Sequence, residues 1–503
     1  MTKVSSAFSV GCCDLEWTTD VNSPSRTSLN GDQHLVGRLW YPSPEQTKSH
    51  WFGGHKQCSW SPHYNYAYGF STFLFLKSRG MKGYLKPAFT SAVYAIGRSQ
   101  SIPAYMHTPI VQSKAEFPLV IFSHGIGGNR LAYSAIICCL VRQGYVVFSV
   151  EHADGTASAA HLAHGGGWLY YQGWGSEDGR MAQTRHRIAE VMTTLKLLSS
   201  MSQGEDVPGL KLSGGLDPKT LLQGRLDVKA VALAGHSYGG ATVTALCSQE
   251  PAFKCTVALD PWWGALLADQ AALERWKTNS PLLILGSHRW NTPNARGQLA
   301  CGGERQAKLL QAVRYREEGP NGSQGGGAVL LVIKGTAHHT FTDVVPYFQA
   351  RFSWLIHMLG FTDDIDPALS LKLISQSTLA FLNRHLPLTE AQRSQFKQSQ
   401  ALPDSAVSGT ASNDVAAPSQ HMPSAEGQDR FTSGAQKTDR QDQIAGQQAG
   451  LHPGQVVLDG LSDSLDAGMK LEGRTYESRV KPDEREVFEN ICQGNIAILE
   501  LSL

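Results

Sequence analysis

Six short, almost uninterrupted apolar runs between residues 118 and 335 constrain this chain more than any other feature. They are PLVIFSH (118–124), YVVFSVEH (145–152), KAVALAGHS (229–237), CTVALD (255–260), PLLILGS (281–287) and AVLLVIKG (328–335). A strand that is apolar at nearly every position, not at alternate ones, needs cover on both faces, and a parallel sheet supplies that cover. Helical patterns lie between the runs, over 130–142, 180–199 and 238–249. In the second of these, Ile188, Val191, Met192, Leu195 and Leu198 recur mostly three or four residues apart and make one apolar stripe. Strand–helix–strand repetition predicts an α/β fold with a doubly wound, mostly parallel sheet and flanking helices. HLVGRLWYP (34–42) is expected on an antiparallel edge of the same sheet.

One turn in this series carries chemistry. Gly235-His236-Ser237-Tyr238-Gly239 matches G-x-S-x-G, with the run VALAGHS before it and the helical GGATVTALCSQ after it. A serine on so sharp a strand-to-helix turn is the nucleophile of an α/β-hydrolase, and the glycines keep Cβ atoms out of the turn. Phe122-Ser123-His124-Gly125-Ile126-Gly127-Gly128 stands where this fold places its oxyanion loop. By position, the backbone N–H groups of Ile126 and Tyr238 are the two expected donors. His124 is read as a structural residue that fixes the loop by hydrogen bonding.

The base of such a site comes late in the chain, after the last core strand. His338 and His339 both stand there, and spacing does not choose between them. The acid often follows the second strand after the nucleophile, but that strand ends in Leu285-Gly286-Ser287-His288 with no carboxylate. The strand before it ends in Ala258-Leu259-Asp260-Pro261, so Asp260, at a strand's carboxyl end, is the expected acid. Trp262, Trp263 and His339 are candidates for the wall of a substrate pocket. No metal or cofactor is expected: His161 and His164 with Asp154 lack a recognised ligand spacing, and no GxxxxGK[ST] surrounds the Gly-rich stretches. Those stretches, 164–175 and 317–327, are read as surface loop insertions.

Charge is nearly balanced, with 44 basic against 43 acidic residues among 503, which gives no sign of nucleic-acid binding. The nine cysteines are odd in number and form no CxxC pair, a pattern of buried free thiols in a reducing compartment. Cys12 and Cys13 are read in the same way. The start lacks the apolar core of a signal peptide, and no run reaches the ~18 apolar residues of a membrane span. A cytosolic protein is expected. The aromatic stretch from Tyr66 to Lys77, closed by Lys77 and Arg79, suits either burial against the sheet or peripheral contact with a membrane through 66–79. A catalytic domain is expected over 1–394. Residues 395–454, rich in Gln, Ser, Ala, Asp and Gly, are expected to be a disordered linker. Residues 455–503 regain apolar content, with a helix expected and no role assigned.

Several blocks together resemble the platelet-activating factor acetylhydrolases of the plasma and intracellular type II kind, the family that includes the lipoprotein-associated phospholipase A2. They are FPLVIFSHGIGGNRLAYSAI (117–136), VVFSVEHADGTASA (146–159), GHSYGGATV (235–243), ALDPWWGAL (258–266), KGTAHHTFTDV (334–344) and DDIDPALSLKLISQSTLAFLNRHL (363–386). The likeness covers roughly residues 10–390. It implies His338 as the base, agrees with Asp260, Ile126 and Tyr238, and implies calcium-independent hydrolysis of the sn-2 acyl ester of platelet-activating factor and of phospholipids with short or oxidised sn-2 chains. The chain departs from the family pattern at Ala153 and Gly155, where charged side chains are usual, and at Thr2, where the intracellular member has an acylated glycine. Two other readings stay open: another esterase of this fold, of the dienelactone-hydrolase or polyester-hydrolase kind, and a non-catalytic binding protein built on it.

Overall fold

In the computed structural model, successive residues of the central apolar runs point to opposite sides of one sheet. Val120, Phe122, Val147, Ala232 and Ala234 enter one core layer, while Leu119, Ile121, Val146, Phe148 and Leu233 enter the other. The structure describes residues 8–19, 34–44, 56–77, 83–173, 176–247, 250–266, 280–292, 328–349, 364–388, 392, 394 and 498–501. The expected linker, the second Gly-rich stretch, Arg79, Cys301 and Cys492 lie outside them.

The chain begins with an antiparallel pair, β1 (Ser9–Thr18) and β2 (His34–Ser43). A short β3 (Gln57–Ser59) leads into α1 (Tyr64–Lys77) and α2 (Lys86–Ser99), and β4 (Ser101–Met106) returns to β1. The parallel half then unfolds as β5 (Phe117–Ser123), α3 (Ser134–Arg142) and β6 (Val146–Glu151). A small hairpin follows, β7 (Ala159–Leu162) with β8 (Gly167–Tyr170), and then the long α4 (Glu177–Gln203). Next come β9 (Leu210–Leu212), α5 (Pro218–Leu222), β10 (Leu226–His236), α6 (Tyr238–Cys247) and β11 (Phe253–Leu259). The series ends with β12 (Leu282–Ser287), β13 (Ala328–Ile333), α7 (Pro367–His385) and β14 (Ile498–Leu501).

The strand order is β3-β4-β1-β2-β6-β5-β10-β11-β12-β13-β14, with β9 paired to β1. From β6 to β14 every pairing is parallel, and β2 joins β6 antiparallel. This is the sheet of an α/β-hydrolase; β2, expected on an antiparallel edge, is antiparallel to both its neighbours but lies inside the sheet, with β1, β4 and β3 beyond it. One difference concerns the first Gly-rich stretch, which forms part of the β7–β8 hairpin and not only a loop. Gly165 and Gly167 take φ of 82° and 90° at its turn, a region that Cβ-bearing residues rarely enter. Another concerns the C-terminal segment: its described piece, β14, is a strand paired with β13, and the rest of 455–503 lies outside the described residues.

Helix ends are set by local chemistry. Ser176 Oγ accepts from Gly179 N–H to start α4, and Gly204 at φ 74° stops it. Asp366 caps α7, with Pro367 at its first turn. α3 has no cap of its own. Its first N–H groups, on Ser134 and Ala135, donate to the buried carboxylate of Asp343 at 2.8 and 2.9 Å, which ties this helix to the loop after β13. The described cysteines are free and buried, Cys12 and Cys13 fully so, and burial pushes the Cys13 thiol well up. Among the described residues, no helix is long and apolar enough to cross a membrane.

Candidate active site

The carboxyl ends of β5, β10, β11 and β13 converge on one point. Four non-glycine residues among those described have positive φ, and Ser237 (56°) and Asp260 (39°) are two of them. Strain of this kind persists only where surrounding bonds over-determine it. Here Ser237 N–H donates to Leu259 C=O at 2.9 Å and Asp260 N–H to Leu285 C=O at 2.7 Å. The turn admits no side chain at Gly239, where a Cβ would come 2.0 Å from the Ser123 carbonyl oxygen.

Ser237 Oγ stands 2.9 Å from His338 Nε2, and His338 Nδ1 stands 2.7 Å from Asp260 Oδ2. The three residues are 101 and 78 positions apart in sequence. Asp260 is 1 % exposed. Besides His338 it accepts from Ser287 N–H at 2.7 Å and Ser287 Oγ–H at 2.7 Å. Burial pushes its carboxyl up to about 6, and the two bonds from Ser287 work against that rise. Trp290 lies flat on the His338 ring, with centroids 3.4 Å apart and planes 5° apart. Stacking of this kind favours an imidazolium when one forms. His236 also packs on His338, and its Nε2–H donates to the His338 carbonyl at 3.0 Å. Burial holds His236 well below the usual imidazole range, so it is neutral.

Ile126 and Tyr238 flank the serine, and among the described residues neither backbone N–H has an acceptor. Beside His338 and Ile126 opens a cavity of about 140 Å³. Phe70, Phe73 and Leu74 of α1, with Leu131 and Val344, form much of its apolar wall. The aromatic stretch at 66–77 thus turns Tyr66, Ala67 and Leu74 inward.

Of the three pocket candidates, His339 lines the cavity. The tryptophans are not among its lining residues. Trp263 is buried among Ala258, Ile284 and Leu330, because the helical turn after Pro261 folds it back over the sheet. Trp262 is half-buried, with its ring edge-on to Tyr238 at 6.0 Å, and packs with Ile126 around Tyr238 and Ala265. Ser287 and Trp290 are the site residues that sequence reasoning missed. A serine at the strand end where a carboxylate was looked for is the signal that could have found the first.

Three comparisons set this geometry among known proteins. The family model described as platelet-activating factor acetylhydrolase, isoform II, matches residues 1–407. The chain is 30% identical over 390 residues to the platelet-activating factor acetylhydrolase of Cavia porcellus, covering 76% of this chain and 77% of that one. It is 28% identical to that of Canis lupus familiaris, over 77% of each chain, and 27% identical to that of Gallus gallus, over 75% and 82%. Among solved structures, a ferulic acid esterase from Streptomyces cinnamoneus is similar at a TM-score of 0.49 and 19% identity, over 78% of this chain and 96% of that one. With its family model matched from residue 1 to residue 407, the chain belongs to the platelet-activating factor acetylhydrolase isoform II family, a family of serine esterases.

Proposed function

We propose that the protein hydrolyses the sn-2 acyl ester of platelet-activating factor and of phospholipids with short or oxidised sn-2 chains, without calcium. The observation that carries this reading is the unbroken Ser237–His338–Asp260 hydrogen-bond chain beside a small apolar cavity. Ser237 attacks the sn-2 carbonyl carbon while His338 Nε2 takes its proton. Asp260 holds the proton on Nδ1 and stabilises the imidazolium. The N–H groups of Ile126 and Tyr238 receive the oxyanion. The tetrahedral adduct then collapses, His338 returns its proton to the leaving lysophospholipid alkoxide, and water repeats the sequence to release the acid.

The cavity sets the acyl preference. At about 140 Å³ it matches the roughly 150 Å³ apolar cavity that holds one benzene molecule, which suits a chain of a few carbons and not a long one. Hydrolysis of phosphatidylcholines with sn-2 chains of increasing length, in EDTA, tests this. The rate is expected to fall by at least about tenfold from acetyl to palmitoyl, since each misfit carbon is worth on the order of 1 kcal/mol. A flat profile, or a requirement for added calcium, removes the reading. Faster turnover of a simple lactone or polyester would favour the other esterases of this fold.

The rate should also depend on pH. The carboxylate, not the acid, stabilises the imidazolium, so activity falls as pH drops through the value near 6 at which the buried Asp260 takes a proton. Asp260 and His338 titrate as a pair, and the profile reports the pair. Ser287 Oγ–H favours the anion, so Ser287→Ala raises the carboxyl further and moves the acid limb of kcat/KM to higher pH, by roughly one unit. An unmoved limb would mean that Ser287 does not tune the acid.

Lipid contact belongs to the outer side of the same region. Tyr64, Tyr68, Tyr84 and Leu85 are the exposed large apolar side chains among the described residues; the first two lie on α1, which also walls the cavity, and the other two in the turn that leads into α2. Tyr84→Ser with Leu85→Ser is expected to weaken co-flotation with phosphatidylcholine liposomes by about tenfold, given the area withdrawn from lipid. Equal flotation of the folded double variant would remove the contact.

A further inference from the structure

Behind the oxyanion loop lies a buried polar cluster that the mechanism does not use. Arg187, on α4, is fully buried, and its guanidinium is spent entirely on neighbours of the two donors. Nε donates to Asp154 Oδ2 at 2.7 Å, Nη2 to Thr156 Oγ1 at 2.5 Å and Nη1 to the His124 carbonyl at 2.6 Å. Its central carbon lies 4.3 Å from the centre of the Tyr238 ring. One side chain therefore touches both halves of the hole: the loop that presents Ile126, and the residue that presents the second N–H.

His124 completes the arrangement. Its Nε2 accepts from His152 N–H at 3.1 Å, and a backbone N–H can only donate, so the ring proton sits on Nδ1. Nδ1–H donates to the Gly125 carbonyl at 2.8 Å, and Gly128 N–H donates to the same oxygen at 3.1 Å. The Gly125 C=O and the Ile126 N–H are two ends of one planar peptide, so fixing the first aims the second. The preceding peptide is held at both ends as well, His124 C=O by Arg187 and Gly125 N–H by the Tyr133 hydroxyl at 2.9 Å. A buried ion pair is a poor way to gain stability, whereas fixed peptide dipoles are what an oxyanion hole requires.

We propose that Arg187 and His124 are positioning residues of the oxyanion hole: together they lock the two peptides that aim the Ile126 N–H, while Arg187 braces Tyr238. This rests on the esterase reading above. The test compares hydrolysis of a short-chain ester with that of its thionoester, whose sulfur is a weak acceptor and draws little on the two donors. Arg187→Lys is expected to lower kcat on the ester about tenfold, and His124→Ala about 100-fold, with KM within about threefold. The thionoester rate should change less than about threefold, so the ester-to-thionoester ratio collapses. His124→Asn, whose amide N–H reaches the place of the imidazole Nδ1–H, should recover most of the ester rate.

Ester and thionoester rates that fall in step, or His124→Asn no better than His124→Ala, would overturn the proposal. Should Arg187→Lys fail to show a wild-type melting transition, the two His124 variants decide it. Wild-type protein inactive on the ester would instead sink the esterase reading itself, whereas active wild type with unchanged variants sinks the positioning role alone.

Discussion

Ser237→Ala is expected to lower kcat by at least about 10⁴-fold and to abolish labelling by a fluorophosphonate, while the protein keeps its melting temperature. Removal of the nucleophile from a comparable triad removes almost the whole contribution of the triad, and what remains comes from binding and the oxyanion hole. The stability half of the expectation follows from the turn. The Ser237 hydroxyl has His338 as its partner, while the backbone strain is held by Ser237 N–H and C=O, which bond Leu259, Ala241 and Trp262 and survive the change. Alanine meets the φ of 56° at much the same penalty as serine. The variant therefore separates chemistry from folding. Labelling that persists in Ser237→Ala would place the nucleophile elsewhere. No labelling of well-folded wild-type protein would favour a binding protein on this scaffold.

What the sequence made legible was what local pattern encodes. The apolar runs at 118–124, 145–152, 229–237, 255–260, 281–287 and 328–335 all became strands, because burial on both faces leaves a continuous signature in each segment alone. Asp260 could be placed because a strand end followed by proline is visible without knowing its partner. Ser287 was harder: its contribution is two hydrogen bonds to a carboxylate 27 residues away, and its place at the strand end is the one mark it leaves in LGSHRW. Arg187 was hidden for a related reason. It sits beside the apolar stripe of α4 and resembles a solvated helical arginine until the fold brings Asp154, Thr156 and His124 around it. The stretch 66–77 is apolar almost all the way round, so periodicity could not say which face it buries. Trp262 and Trp263 were adjacent in sequence but are separated by a turn that sends one into the core and leaves the other at its edge.

Asp260→Asn is the substitution in which activity and stability should part most widely. The asparagine has the shape of the aspartate and tolerates a φ of 39° at least as well. Its Oδ1 can still accept the Ser287 N–H that now bonds the carboxylate at 2.7 Å. The amide then faces His338 Nδ1, and an amide N–H can only donate to it. The imidazole proton is forced onto Nε2, the atom that must accept from Ser237, so the base is disabled although every ring stays in place. An expected loss in kcat of about 10⁴-fold is the size seen for the same change in a serine-protease triad. Stability should move the other way or not at all. The Asp260 carboxyl is raised to about 6 from an ordinary 3.8, so the folded state binds its proton more tightly than the unfolded chain does. Its contribution therefore favours the fold at acid pH and opposes it as pH rises through about 6. Asparagine never carries that buried charge. At pH 7.5 the variant should melt no lower than wild type, while at pH 4 the difference should vanish or reverse. A variant that retains activity within tenfold, or melts well below wild type at pH 7.5, would mean that the carboxylate is there to hold the sheet and not to orient the base. The expected opposite outcome is the mark of a charge kept in an unfavourable place for what it does to a neighbouring ring.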